Sequence, residues 1–454
     1  MSLIADLKAA LDPGAVLAGD EVPDRARSDA SESGRHLPLA LLRPASTEAV
    51  SKALAICWRH KQPVVPQGGM TGLAGGANPG PGDVALSLDR LAGVEEIDAE
   101  TSCMTVRAGT VLQVAQEAAA AKGFLLPIDL GARGSCQIGG VIANNAGGLR
   151  VIRHGSARDN ILGLEVVLAD GTVLSNLGKL MKNNTGYNLS QLFAGSEGTL
   201  GIITRAVLRL RPLATDRCTA LCAVPDFDAV VALLKLASAR LPGLSALEVM
   251  WQDYFLAMEQ AEGLRLFPAP PALAVIVESE AIDDPGHGET FEAFLAQALE
   301  AGHLTDALLA RSTKDAKAFW DLREGHKLTR ILPQILNFDI SLDIGRMGDF
   351  VKTCRSALDR KFPTLRKLFY GHAGDGNLHI VVESPLSDQG KHAIDLIIYD
   401  IVRAMGGSIS AEHGIGTLKR DYLGFTRSRE ELAAMQAIKR ALDPRGILNP
   451  GKLL

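Results

Sequence analysis

The chain has 454 residues, 47% hydrophobic and 22% charged, which excludes a disordered polypeptide and predicts two or three domains with a sizeable core. Its 47 basic and 52 acidic residues leave a net charge of −5, so no broad polyanion-binding surface is expected, and 5% aromatics offer little to stack on nucleic acid. The six cysteines (Cys57, Cys103, Cys136, Cys218, Cys222 and Cys354) form no CxxC pair, and no apolar run approaches the ~20 residues of a membrane span, so a cytoplasmic protein with reduced thiols is expected.

In chain order, a helix is predicted over 47–59, with Val50, Ala53, Leu54 and Cys57 on one apolar stripe at 3.6-residue spacing. Strands are predicted at 63–66, 84–88 and 104–108, a helix at 111–122, and strands at 164–168 and 172–174. Near Arg211 and Pro212 glycine thins out. A strand at 219–224 is followed by a helix for which Asp226 is the expected N-cap. Further strands are predicted at 245–250, 272–278, 337–344 and 378–383, with helices at 289–301, 389–405 and 429–442. Strands interleaved with long helices in this way predict an α+β domain with helices on one face of its sheet.

Three glycine clusters punctuate the first half. The first is Pro66-Gln67-Gly68-Gly69-Met70-Thr71-Gly72-Leu73, after a predicted strand; closely spaced glycines let backbone N–H groups converge on an anion. It matches neither a Walker loop nor a GxGxxG turn, and by itself it reads equally well as an ordinary surface loop. The second runs from Gly131 through Gly134, Ser135, Cys136, Gln137, Ile138, Gly139 and Gly140 to Ala143, Asn144, Gly147 and Gly148. The third spans Gly195, Glu197, Gly198, Gly201 and Ile202. Together they suit a long ligand with a pyrophosphate and a planar ring.

The stretches LPIDLGARGSCQIGGVIANNAGGLRVIRHGS, LGLEVVLADGTVL, NNTGYNLSQLFAGSEGTLGIIT and the tail LNPGKLL resemble the FAD-dependent D-2-hydroxyacid dehydrogenases of the vanillyl-alcohol-oxidase superfamily, and most of all their 2-hydroxyglutarate branch. The resemblance covers nearly the whole chain. It implies an α+β fold with a VAO/PCMH-type FAD-binding domain at 1–211, a cap domain with an antiparallel sheet at 212–411, and a segment at 412–454 returning to the FAD domain. FAD would contact the first cluster, Pro127, Asp129, Gly134, Ser135, Ile138, Gly139, Gly140, Ala143, Asn144, Gly147, Gly148, Glu197, Gly198, Gly201, Ile202 and Asn449. Met70 stands where members with covalent flavin carry a histidine, which implies non-covalent FAD.

Two histidines flank a tight turn in Gly371-His372-Ala373-Gly374-Asp375-Gly376-Asn377-Leu378-His379, and Ser410-Ala411-Glu412-His413 sets a carboxylate beside an imidazole. Two His and one Glu form a familiar zinc set, which would also take manganese or iron; a hydrogen-bonded core histidine is the plainer alternative for His372 alone. The resemblance assigns His372, His379 and Glu412 to a divalent metal, with zinc preferred. His413 is then the expected base for the substrate hydroxyl.

Arg323 suits carboxylate recognition, although a surface salt bridge is the plainer alternative. Around it the chain departs from the 2-hydroxyglutarate branch: Lys327 replaces a Thr, with Thr329 nearby, Asn337 replaces a Lys, and Val381 replaces an Asn. Either Lys327 supplies the missing cation from the Arg323 helix face, being i+4 to it, or the pocket suits a smaller acid such as D-lactate, D-2-hydroxybutyrate or glycolate. The expected electron acceptor is an electron-transfer flavoprotein or a quinone, and a homodimer remains open. A flavin-carrying subunit of an electron-transfer complex is the competing class.

Overall fold

The computed structural model describes residues 2–384 and 387–454, apart from the side chain of Thr329. It divides into two compact units: Met1–Gly148, Gly155–Leu213 and Glu412–Leu454 make the first, and Leu149–His154 with Ala214–Ala411 make the second.

The first unit holds two larger sheets and a two-stranded one that pairs Phe124–Leu125 with Arg211–Pro212. Helix Thr47–His60 links parallel strands: Ser46 caps it by accepting from the Ala49 amide at 3.2 Å, and Lys61 ends it in the left-handed conformation at φ 53°. Its stripe Val50, Ala53, Leu54 and Cys57 is wholly buried, as amphipathic spacing requires. The helix packs in the core with a four-stranded mixed sheet ordered Val16–Leu17, Ala40–Leu42, Val84–Ser87 and Val64–Gln67, the last three parallel. The C-terminal tail extends this sheet. Val64 donates to the Ile447 carbonyl at 2.7 Å and Asn449 donates to the Val64 carbonyl at 2.8 Å. The second sheet is antiparallel, ordered Val94–Asp98, Cys103–Arg107, Ile202–Arg209, Ile161–Val167 and Val173–Asn176.

The second unit is built on a seven-stranded antiparallel sheet: Asp306–Leu309, Asp216–Val224, Leu273–Ala281, Leu244–Trp251, Lys367–His372, Asn377–Glu383 and Ile335–Ser341. Side chains alternate between faces along a strand. Ala274 and Ile276 join the cluster around helix Gln252–Glu262, while Val275 and Val277 on the opposite face are equally buried. Both faces are therefore covered, which corrects the expectation of helices on one face only. Near-continuous apolar strands are the sequence mark of that burial.

Residues 149–154 group with the second unit, although sequence places them in the first domain. Arg150 explains the difference. Its guanidinium donates to buried Glu278 at 3.0 and 3.2 Å, and Trp320 Nε1 donates to the other oxygen of the same carboxylate at 2.8 Å. All six cysteines are free thiols. Among the described residues no helix is long and apolar enough to cross a membrane.

Candidate active site

In the first unit, the loop following strand Val64–Gln67 lies against the second glycine cluster. At Gly69 a Cβ would stand 2.0 Å from the Ser135 carbonyl oxygen, so only glycine permits this approach. Among the described residues, the amides of 68–74 find no protein acceptor, leaving a run of donors for an anion. Met70 within it is left-handed at φ 57°, as are Asn145, Glu197 and Asn449 at φ 49°, 52° and 44°. Two of these, Met70 and Glu197, line one cavity, and strained backbone of this kind is what functional sites hold.

That cavity, of about 220 Å³, is lined by residues 66–73, Gly139, Gly140, Ala143, Asn144, Glu197, Gly198, Gly201 and Ile202 from the sequence-derived set, and also by Glu412 and His413. The remaining residues of the set lie behind it. Ser135 supports Gly69, Ile138 is core, and Pro127 is buried; Gly134 and Gly147 stand in the adjoining loops. Asp129 and Gly148 bridge backbones; a Cβ on Gly148, whose φ is +103°, would reach the Asp129 carbonyl at 1.9 Å. The Gly148 amide in turn donates to Glu412 Oε1 at 2.7 Å. These two residues thus position Glu412.

Glu197 ties the third cluster to the returning chain by accepting from the amides of Ile415 at 2.8 Å and Gly416 at 2.7 Å. Burial pushes its carboxyl above the usual range despite those bonds. Asn449 Nδ2 donates to the Gly76 and Glu197 carbonyls at 3.0 and 2.8 Å. Its Oδ1 and the Oε1 of Gln137, a cavity residue, are buried acceptors with no partner among the described residues. Unpaired buried acceptors and a run of unpaired amides fit a ligand with both hydrogen-bond donors and a pyrophosphate, as FAD has.

In the second unit, hairpin register sets the histidines. Asp375 Oδ1 accepts from the Asn377 amide at 3.1 Å and Gly376 takes φ +82°, so Asp375 forms the turn. His379 pairs across strands with Tyr370, two residues from His372 on the same face, and the imidazole centroids lie 5.3 Å apart. Glu248 is the cross-strand partner of His372, and Asp339 that of His379. Glu248 Oε1 is 2.8 Å from His372 Nδ1, and Asp339 Oδ1 is 3.8 Å from His379 Nδ1. The Glu248 carboxylate at Nδ1 orients the His372 imidazole to ligate through Nε2, while Asp339 faces His379 from beyond hydrogen-bond distance, so this row fits a metal-holding pair. Sequence reasoning missed Glu248 and Asp339; an acid inside an otherwise apolar strand was the available signal.

Arg323 is buried at the end of helix Thr313–Glu324. Its Nε donates to Glu248 Oε2 at 2.7 Å and its guanidinium lies 4.8 Å over the Tyr370 ring, with Nη2 3.3 Å from His372. Burial raises the Glu248 carboxyl, but His372 and Arg323 outweigh it and hold that carboxyl below its ordinary value.

The shared helix face expected for Arg323 and Lys327 does not exist. The helix ends at Glu324 with Gly325 left-handed at φ 65°, and Lys327 starts a separate turn where its Nζ donates to Glu262 at 2.5 Å. Asn337 is exposed on strand Ile335–Ser341, opposite Val381. The side chain of Thr329 lies outside the described residues.

A glycine-walled pyrophosphate cradle joined in one chain to a second unit with paired histidines defines an FAD-linked oxidoreductase. Residues 38–176 match the FAD binding domain and residues 213–453 match the C-terminal domain of FAD linked oxidases. The mitochondrial D-2-hydroxyglutarate dehydrogenase of Bos taurus is 39% identical over 449 residues, 97% of this chain and 81% of its own. The D-2-hydroxyglutarate dehydrogenase of Xanthomonas citri is 38% identical over 92% of this chain and 89% of its own, and a putative mitochondrial D-lactate dehydrogenase of Schizosaccharomyces pombe 35% over 90% and 81%. The fold matches p-cresol methylhydroxylase at TM-score 0.78, with 16% identity, covering 99% of this chain and 96% of that one. The chain belongs to the FAD-linked oxidases of the vanillyl-alcohol-oxidase superfamily.

Proposed function

We propose that the chain oxidises a D-2-hydroxyacid, D-2-hydroxyglutarate in the first instance, to the 2-oxoacid. The carboxylate–histidine–histidine–carboxylate row carries this reading, because it is equipped to hold a metal, and a Lewis acid on the oxygens of a hydroxyacid makes its hydroxyl proton easier to remove. The 2-hydroxyglutarate dehydrogenases among the relatives agree with it.

FAD, held without a covalent bond by the glycine clusters, supplies a hydride acceptor. A divalent ion, zinc preferred, on His372, His379 and Glu412 would make the substrate hydroxyl more acidic. His413 takes the hydroxyl proton on an imidazole nitrogen. Glu248 holds the His372 ring, and Arg323 holds Glu248 while offering its remaining guanidinium edge to the substrate carboxylate. An electron-transfer flavoprotein or a quinone would be the electron acceptor.

A second reading, D-lactate or glycolate oxidation, is favoured by one observation: Lys327 is taken up by Glu262 and Asn337 is uncharged and exposed, so neither supplies a cation for a second carboxylate. An anaerobic screen of 2-hydroxyacid enantiomers tests both readings. Bleaching of the flavin by D-2-hydroxyglutarate supports the first, and bleaching by D-lactate or glycolate alone supports the second. Flavin that no 2-hydroxyacid bleaches points instead to a flavin-carrying subunit. Activity that survives exhaustive chelation, with no metal found by elemental analysis, removes the ion.

A further inference from the structure

A second group of metal-ligating side chains lies at the other end of the sheet of the second unit and shares no residue with the proposed active site. Asp216 and Cys218 alternate onto one face of strand Asp216–Val224, and Ser279, the cross-strand partner of Cys218, stands beside them. His287 opens helix His287–Glu300 with its ring buried over this face. Its Nδ1 lies 2.7 Å from Asp216 Oδ2 and 3.7 Å from Cys218 Sγ, while Nε2 lies 3.0 Å from Ser279 Oγ.

Two acidic partners thus converge on the same imidazole nitrogen. A nucleophile triad needs the opposite arrangement, with thiol and carboxylate on different nitrogens, so that the ring can relay a proton between them. What the three atoms surround is a cation position. We propose that Asp216, Cys218 and His287 bind one zinc-type divalent ion, with solvent completing a tetrahedral set.

The dimensions suit it. With Zn–N near 2.0 Å and Zn–S near 2.3 Å, tetrahedral angles place N and S about 3.5 Å apart, against 3.7 Å observed. The carboxylate must withdraw from 2.7 Å to about 3.3 Å from the nitrogen, a small movement for a half-exposed Asp216. Binding displaces to solvent both the thiol proton and the Nδ1 proton that Asp216 accepts without the ion, leaving a neutral imidazole with its proton on Nε2, donated to Ser279 Oγ. Mixed N, O and S donors favour zinc over magnesium or calcium. The ion would clip the start of a strand to the start of a helix 69 residues further on, stabilising this end of the sheet.

The test uses the full FAD-loaded chain, stripped by chelation and then given zinc or cobalt(II). A thiolate-to-cobalt charge-transfer band is expected in the cobalt difference spectrum, where flavin absorbance cancels, and it should vanish in Cys218→Ser. Zinc should raise the Tm of the parent protein by several degrees more than that of Cys218→Ser or Asp216→Asn, with one fewer zinc per chain in each variant by elemental analysis. Flavin reduction by hydroxyacid should be unchanged in both. No cobalt–thiolate band, or equal zinc content in parent and variants, overturns the proposal. The proposed active site has no sulfur donor, so the band reports on this site whether or not the catalytic reading holds.

Discussion

Glu248 and His372 face each other across adjacent strands, with the carboxylate 2.8 Å from Nδ1, and the other oxygen of Glu248 binds Arg323 at 2.7 Å. One buried carboxylate therefore orients both a metal-ligand candidate and a substrate-binding candidate. Glu248→Gln keeps the shape and removes the charge. Flavin reduction by substrate is expected to fall by about 10–100-fold with FAD content unchanged. Stopped-flow bleaching together with the flavin-to-protein absorbance ratio measures both, and an unaltered reduction rate would show that the contact is only structural.

His413 lines the cavity of the first unit, next to Glu412. His413→Asn should retain FAD and lose about 10²–10⁴-fold in single-turnover reduction, the range for removing a general base. Equal rates in variant and parent rule the role out.

Lys327 is spent on Glu262, in an exchange that leaves its side chain about one-third exposed. Lys327→Ala is expected to change kcat/KM for D-2-hydroxyglutarate and for D-lactate by less than about threefold each, as a partly exposed ion pair is worth little. A selective loss with D-2-hydroxyglutarate would restore Lys327 to the distal carboxylate.

Glu280 sets an acid limit on the second unit. Burial raises its carboxyl, but the His154 imidazole 3.8 Å away and the Arg217 and Arg150 charges outweigh that and hold it at about 2, against 4.5 ordinarily. The folded state therefore binds its proton less readily than the unfolded chain. The resulting stability, at most about 3 kcal/mol, is present above pH 4.5 and is lost as pH falls towards 2. Glu280→Gln should flatten this acid limb in urea-denaturation midpoints measured from pH 6 to pH 2.5. An acid limb as steep as that of the parent would show that other groups carry it.

Much of this was legible because it is local. The stripe of Val50, Ala53, Leu54 and Cys57, the Asp226 cap, the Asp375-Gly376 turn and the glycine clusters depend on neighbours within a few residues, where spacing and backbone freedom decide the outcome. The same logic failed at Lys327: a spacing of four implies a shared face only if the helix continues, and Gly325 stops it. Glu248, Asp339 and residues 149–154 depend on partners dozens of residues away, and no periodicity encodes a partner's identity.

The amino-acid order by itself determined glycine clusters open to an anion, an α+β second unit and a pair of histidines about a tight turn, since close backbone approach, side-chain periodicity and turn chemistry are short-range properties; the flavin came from the resemblance those clusters carry. Tertiary structure alone decided which carboxylate each imidazole meets, which acid takes up Lys327, and that Asp216, Cys218 and His287 surround one point. The imidazole–carboxylate pairs follow from strand register, which the burial of a whole sheet settles, and the seats of Lys327 and His287 follow from where the chain places helix ends against each other and the sheet.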